Sequence, residues 1–385
     1  MAEQASAETS IEVRSLESWV LRKTLARPRR NAFGEQTSRA VLIIRIVDQD
    51  GVEGWGEAFC AWPFFAAEYR QRIITELLTP WIKGRRFASP DQVSREAAQA
   101  FHLLKIQSGD FGPFEHAIAS LDIASWDLWA RKLDKPLWQA LGGKRGHGVQ
   151  VYASGLSESN LDASVNLAKK LGITGFKLKV GFGTDNDRRT LDALVRATSD
   201  IDDRQLMVDA NQSWSIADAK NMGRLLADYP LEWVEEPIVA NSSSRAWSSV
   251  ASALPCDIAA GENVRGSAWD QVLRTTSIKV LQPDVIKFGG LTAGRDIGRK
   301  AIASGRRFCP HFLGAGVGLL ATAHLCAAAD CADTLLEFDV TENPYQGIVG
   351  GPVVQAGRFQ LPQGAGLGAT PAPDVLAQFD SASSN

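Results

Sequence analysis

GFKLKVG (175–181), LMVDANQSW (206–214), LEWVEEP (231–237) and DIAAGEN (257–263) decide the fold of this chain. Each is a short apolar run closed by charge: Lys177 and Lys179 in the first, then Asp209, Glu235 and Glu262. From Lys179 onward the steps are 30, 26 and 27 residues. A strand, a helix and two loops take roughly 25–30 residues, because eight such units make a barrel of ~250. The spacing therefore predicts an α/β chain folded as a TIM-type barrel. Asp209, Glu235 and Glu262 then stand side by side at its C-terminal mouth, where barrel enzymes keep their chemistry. Three carboxylates, with no thiolate or imidazole among them, form a hard oxygen site suited to Mg²⁺. Lys177 shares the side of Lys179, since strand side chains alternate with period two.

Farther along, QPDVIKFGG (282–290) places Asp284 22 residues after Glu262 and brings Lys287 with it. FCPHF (308–312) sets His311 another 27 residues on, and LLEFD (335–339) sets Glu337 a further 26. A KxK pair, then Asp, Glu and Glu, then Asp and His on consecutive strands, resembles the enolase superfamily, mandelate racemase subgroup. The resemblance runs along almost the whole chain. AIASLDIASWDLWARKLDKPLWQALGG (117–143) is similar to that family's connection from capping domain into barrel. It implies an α+β N-terminal capping domain over residues 1–130 and a (β/α)7β barrel over 131–355. A C-terminal segment, 356–385, then returns to the cap.

The site expected from this resemblance takes a proton from the carbon next to a carboxylate. Such a proton is weakly acidic, and Mg²⁺ with a nearby ammonium can stabilise the charge that develops. Two candidate bases lie on well-separated strands, Lys179 and His311, and are expected on opposite faces of the α-carbon. Lys177 beside Lys179, with Mg²⁺ nearby, should lower its pKa and let it act as a base. Asp284, one strand from His311, is expected to accept the imidazole N–H and fix its tautomer. Glu337, if protonated, would donate to the substrate carboxylate, and the resemblance puts Asn211 and Ser154 near substrate. Specificity is expected from two cap loops, with Arg29, Arg30 and Phe33 in one and Trp62 to Phe65 in the other. Lys287 is expected as an auxiliary cation, although a lysine in this region is the second base of the muconate-lactonizing branch. Glu236 is expected to turn into the barrel wall and ion-pair there. The other histidines, 102, 116, 147 and 324, read as structural.

Most members of this subgroup resemble acid-sugar dehydratases, so dehydration of a hydroxy acid to a 2-keto acid is the expected reaction. A racemase or epimerase of a 2-hydroxy acid is the alternative, since both begin with the same enolate. A non-catalytic sugar-acid-binding barrel would have lost one of these residues, and hydrolytic barrels usually ligate metal through HxH, which is absent. Composition fits a small-molecule enzyme: net charge −3 with both signs interspersed gives no basic stripe for nucleic acid. No apolar run approaches the ~18 residues of a membrane span. The polar N-terminus lacks a signal-peptide layout. Five unpaired-looking cysteines argue for buried free thiols, and a cytoplasmic homo-oligomer is expected. Residues 11–60 read as a β-meander turning at Asp50-Gly51. Residues 66–107 read as helices broken at Pro80 and Gly84, and 114–133 as an amphipathic helix.

Overall fold

The computed structural model describes residues 9–31, 34–144, 146 and 148–380. The N-terminal meander is present: β1 (Ile11–Asn31), β2 (Gly34–Asp48) and β3 (Glu53–Ala58) pair antiparallel in order, and β4 (Arg86–Phe87) adds to the far side of β1. Its turn falls at Asp50-Gly51, where Gly51 takes φ 82°. One face of this sheet buries Ile11, Val13, Leu42, Ile44 and Ile46 against helices from residues 66–128. Pro80 does not break the first of these. A π-helical turn at Ile74–Leu78 widens the backbone just ahead of it, and the helix continues to Ile82. That widening relieves the clash a proline ring makes with the preceding turn.

The helix Phe111–Lys132 differs from the amphipathic reading, because it is buried on nearly every side from Phe114 to Ala130. It lies between the meander and the barrel, so both faces meet protein. β3 reaches it through two glycines: a Cβ on Gly54 or Gly56 would come within 2.1 or 2.0 Å of the helix carbonyls of Ala124 and Ser120.

Eight parallel strands follow: β5 (Val149–Leu156), β6 (Gly175–Lys179), β7 (Gln205–Asp209), β8 (Leu231–Glu235), β9 (Asp257–Ala260), β10 (Ile278–Leu281), β11 (Arg307–Phe308) and β12 (Leu336–Asp339). Consecutive strands pair from β5 to β11, and β12 pairs with β5. Seven helices alternate with them, giving the (β/α)7β order. β10 and β11 are shorter than their apolar runs suggest, since Pro283 and Pro310 have no N–H to extend a ladder. Tyr152, Met207, Trp233, Ala259, Val280, Cys309 and Leu335 fill the interior below the mouth. β13 (Val354–Gln355) and β14 (Arg358–Phe359) then form a hairpin, and β14 pairs with the start of β5. The chain returns to the cap at Leu367, whose N–H donates to Asp127 at 2.7 Å, and the helix Pro373–Asp380 lies against β1. All five cysteines are free, and no described helix is long and apolar enough to cross a membrane.

Candidate active site

β6, β7 and β8 run in register, so that Lys179, Asp209 and Glu235 are Cα partners on one rung, each the last residue of its strand. Lys179 Nζ is ion-paired with Asp209 Oδ2. Asn211, in the left-handed region at φ 45°, donates its backbone N–H to Asp209 Oδ1 at 2.7 Å and its side-chain amide to Oδ2 at 3.2 Å. Lys177 is fully enclosed. Its Nζ lies 2.7 Å from both Glu235 Oε2 and Glu337 Oε1, and 5.3 Å from the centre of the Tyr152 ring. Ser154 Oγ donates to Glu337 Oε1, Phe312 N–H to its Oε2 at 3.2 Å, and Gln282 to Glu235 Oε2 at 2.6 Å.

The other flank is assembled from loops. Glu262, Asp284 and His311 lie beyond the ends of β9, β10 and β11. His311 Nδ1 meets Asp284 Oδ2 at 2.7 Å, and its Nε2 meets Glu262 Oε2 at 3.0 Å. Asp284 is held in turn by the backbone N–H groups of Ile286 and Lys287. Lys287 Nζ donates to Asn263 Oδ1 at 2.8 Å, sits 3.4 Å from Glu262 and lies over the Phe59 ring of the cap at 4.8 Å.

Two expectations, for Glu337 and Glu236, differ from this geometry. Among the protein groups alone, burial and Lys177 oppose the charge of Lys179, while Asp209, Glu235 and Glu262 outweigh them and hold its pKa above the ordinary value. Glu337 is not held protonated. Burial pushes it up, yet Lys177, His311 and the Ser154 hydroxyl bring it down to about 2. Among the described residues Glu236 makes no ion pair in the wall. Left-handed backbone at φ 37° turns it toward Asn263, which donates to its Oε2 at 2.7 Å, and burial beside Glu262 raises its pKa far above the usual range. For His311, burial favours the neutral ring, but Glu262, Glu337 and Asp284 prevail and lift it to about 9. Glu262 is held well below the carboxylate range; burial opposes this, and His311 with Lys287 overcomes it.

Glu235, His311 and Glu337 bring donor atoms within 4.8 Å of one another. Asp209 and Glu262, expected with Glu235 as ligands, face Lys179 on one flank and His311 with Lys287 on the other. A hard cation prefers oxygen, which favours the three carboxylates over a set containing imidazole. Five buried carboxylates (209, 235, 262, 284 and 337) converge here on three lysines (177, 179 and 287). Among the described residues, Glu236 Oε1 and Gln282 Oε1 are buried without a hydrogen-bond partner. That excess of negative oxygen fits a divalent cation.

The mouth opens into a cleft of about 440 Å³. Its barrel walls include Ser154, Ser157, Ser159, Asn160, Ser164 and Thr341, while Pro28, Gln36, Phe59 and Trp62 come from the cap. Trp62 lines the mouth from the cap side. Arg29 and Arg30 fall at the outer end of β1, but their side chains, and Phe33 entirely, lie outside the described residues, as does His147. His116 and His324 are buried on helices, in keeping with a structural role. Asn263, Gln282 and Phe59 were not foreseen; their one signal is a place next to a strand end.

This cap, barrel and acid-lined mouth define an enolase-type barrel enzyme. Residues 15–142 match the mandelate racemase / muconate lactonizing enzyme N-terminal domain model, and residues 161–375 the enolase C-terminal domain-like model. The chain belongs to the mandelate racemase/muconate lactonizing enzyme group of the enolase superfamily. A solved mandelate racemase/muconate lactonizing enzyme from Bordetella bronchiseptica RB50 is 36% identical, with a TM-score of 0.89 over 96% of this chain and 99% of that one. The D-galactarolactone cycloisomerase of Agrobacterium fabrum is 28% identical over 96% of this chain and 99% of its own. The L-talarate/galactarate dehydratase of Salmonella typhimurium is 35% identical over 53% of this chain and 52% of its own. Further relatives are named as acid-sugar dehydratases and as an epimerase of hydrophobic dipeptides.

Proposed function

We propose that this enzyme removes the α-proton of a hydroxy-carboxylate with Mg²⁺ held by Asp209, Glu235 and Glu262, and that it dehydrates an acid sugar to a 2-keto acid. The supporting observation is the placement of Lys179 and His311 on opposite flanks of one carboxylate-rich mouth. When bound, Mg²⁺ supplies Lewis acidity that stabilises the enediolate charge. Lys177, clamped between Glu235 and Glu337, adds a fixed positive charge to the same place. One base takes the α-proton, and the second, His311, delivers a proton to the hydroxyl leaving the β-carbon. Water departs, an enol remains, and it tautomerises to the 2-keto acid. Asp284 holds His311 Nδ1, and Nε2 faces Glu262 at the mouth at 3.0 Å.

The hydroxyl- and amide-lined cleft supports a polyhydroxy substrate, whose hydroxyl groups need such partners. Racemisation uses the same two bases and is the second reading, supported by the epimerase among the relatives. A screen of aldonates and aldarates with Mg²⁺, scored for 2-keto acid and in parallel for α-deuteration in D₂O, tests the choice. Keto acid is the expected product. Epimerisation of a simple 2-hydroxy acid with no keto acid from any acid sugar would decide for the racemase.

A further inference from the structure

We propose that the capping domain is the mount of the His311–Asp284 pair, with Glu57 and Asp122 as positioning residues that grip the two barrel helices following β11 and β10. The proposal rests on the reading of His311 as a base. Glu57, in β3, is buried, and its Oε1 accepts the N–H of Ala315 at 2.6 Å while Oε2 accepts that of Gly318 at 2.7 Å. These donors open the helix Gly316–Ala328, where free N–H groups and the helix dipole favour a carboxylate. The seat is shaped for it. A Cβ on Gly314 would come 2.3 Å from Glu57 Oε1, and one on Gly318 would come 3.1 Å from its Cδ. Ala315 is four residues past His311, and the stretch between is irregular, so the carboxylate pins the loop that carries the imidazole.

Asp122, on the helix Phe111–Lys132, does the same one unit earlier. Its Oδ1 accepts the N–H of Thr292 at 3.0 Å, at the start of the helix Gly290–Ala303, and the Thr292 hydroxyl donates to its Oδ2. Trp126 Nε1 donates to that hydroxyl at 2.9 Å. Between these two anchors, Phe59 N–H donates to Ile286 O at 2.9 Å, two residues from Asp284. The helices after β6 and β7 are held by barrel residues instead. Asp187 accepts the N–H groups of Gly181 and Phe182, and Ser215 forms a capping box with Asp218. Loosening the cap should thus misplace His311 and spare Lys179.

Two variants approach the contact from its two sides: Glu57→Gln, which keeps the side chain's size but cannot accept both N–H groups, and Gly314→Ala, which crowds the carboxylate. Parent and variants, with Mg²⁺, are followed in D₂O on the two C2-epimeric 3-deoxyaldonates, which have no β-hydroxyl to lose. Amide exchange of 309–318 and 175–214 is read by mass spectrometry on the same samples. Expected is a fall of about 10- to 100-fold in α-exchange of the epimer served by His311, with the other epimer within a few-fold of parent. Protection should drop over 309–318 and hold over 175–214. Equal losses for both epimers, or unchanged protection over 309–318, would overturn the proposal. Absence of α-exchange in the parent would count against the proton-abstraction reading instead, and the amide exchange would still decide the mount.

Discussion

On the β6–β8 flank Lys177, Lys179, Asp209 and Glu235 all belong to strands; on the β9–β11 flank Glu262, Asp284, Lys287 and His311 all stand past the strand ends. Lys179, Asp209 and Glu235 inherit their positions from a continuous ladder, as rung partners of one another. Glu262, Asp284 and His311 stand on loops, and the loops after β10 and β11 are tied to a different domain through Phe59, Asp122 and Glu57. Lys179 is thus built into the barrel wall, and His311 is held from outside. Precision on the first flank comes from backbone pairing. On the second it depends on buried carboxylates far away in sequence.

The largest effect should come from removing a base on either flank. Lys179→Ala and His311→Asn are each expected to cut turnover by about 10⁴-fold, measured as keto-acid formation, because general acid–base groups contribute on that scale. Losses of only a few-fold in either would break the two-flank picture. Next comes the metal. Loss of a partner behind a metal ligand costs roughly 10–100-fold in affinity, so Asp209→Asn should raise the Mg²⁺ requirement by at least about 10²-fold. EDTA should abolish turnover in the parent and added Mg²⁺ restore it. Full activity after chelation would remove the metal from the account. Asp284→Asn should lie below both, with a loss of about 10²-fold and an altered pH–rate profile, since the imidazole persists without its orienting partner. A profile identical to the parent's would dissolve the dyad.

The smallest expected effect is on stability. Burial pushes Glu57 up to about 7, although the N–H groups of Ala315 and Gly318 and the charge of Arg39 pull it back from its ordinary 4.5. The folded chain therefore holds this proton more tightly than the unfolded one. Its contribution is fully present below about 4.5 and is lost as pH rises through about 7. Melting curves of parent and Glu57→Gln should show the difference between them shrinking in the parent's disfavour over that window. A difference that stays flat with pH would contradict the burial argument.

The two flanks also differ in how far they could be read from the chain alone. Lys179, Asp209 and Glu235 each close an apolar run, so pattern and period place them directly. Asp284 and His311 follow from spacing, but their strands read too long, because the prolines at 283 and 310 end the ladders early. Glu57 and Asp122 leave no trace of their task. Each is one acid among apolar neighbours, and the partners are backbone N–H groups 170 or more residues away.

Stereochemical exchange tests the two-flank account most directly. Lys179→Ala and His311→Asn, each with Mg²⁺ in D₂O, are given the separate C2 epimers of a 3-deoxyaldonate, and loss of the α-proton signal is followed by NMR. The account predicts complementary behaviour, with each variant exchanging the epimer whose proton faces the surviving base and leaving the other untouched. Exchange of the same epimer by both variants would contradict the placement of the two bases on opposite faces.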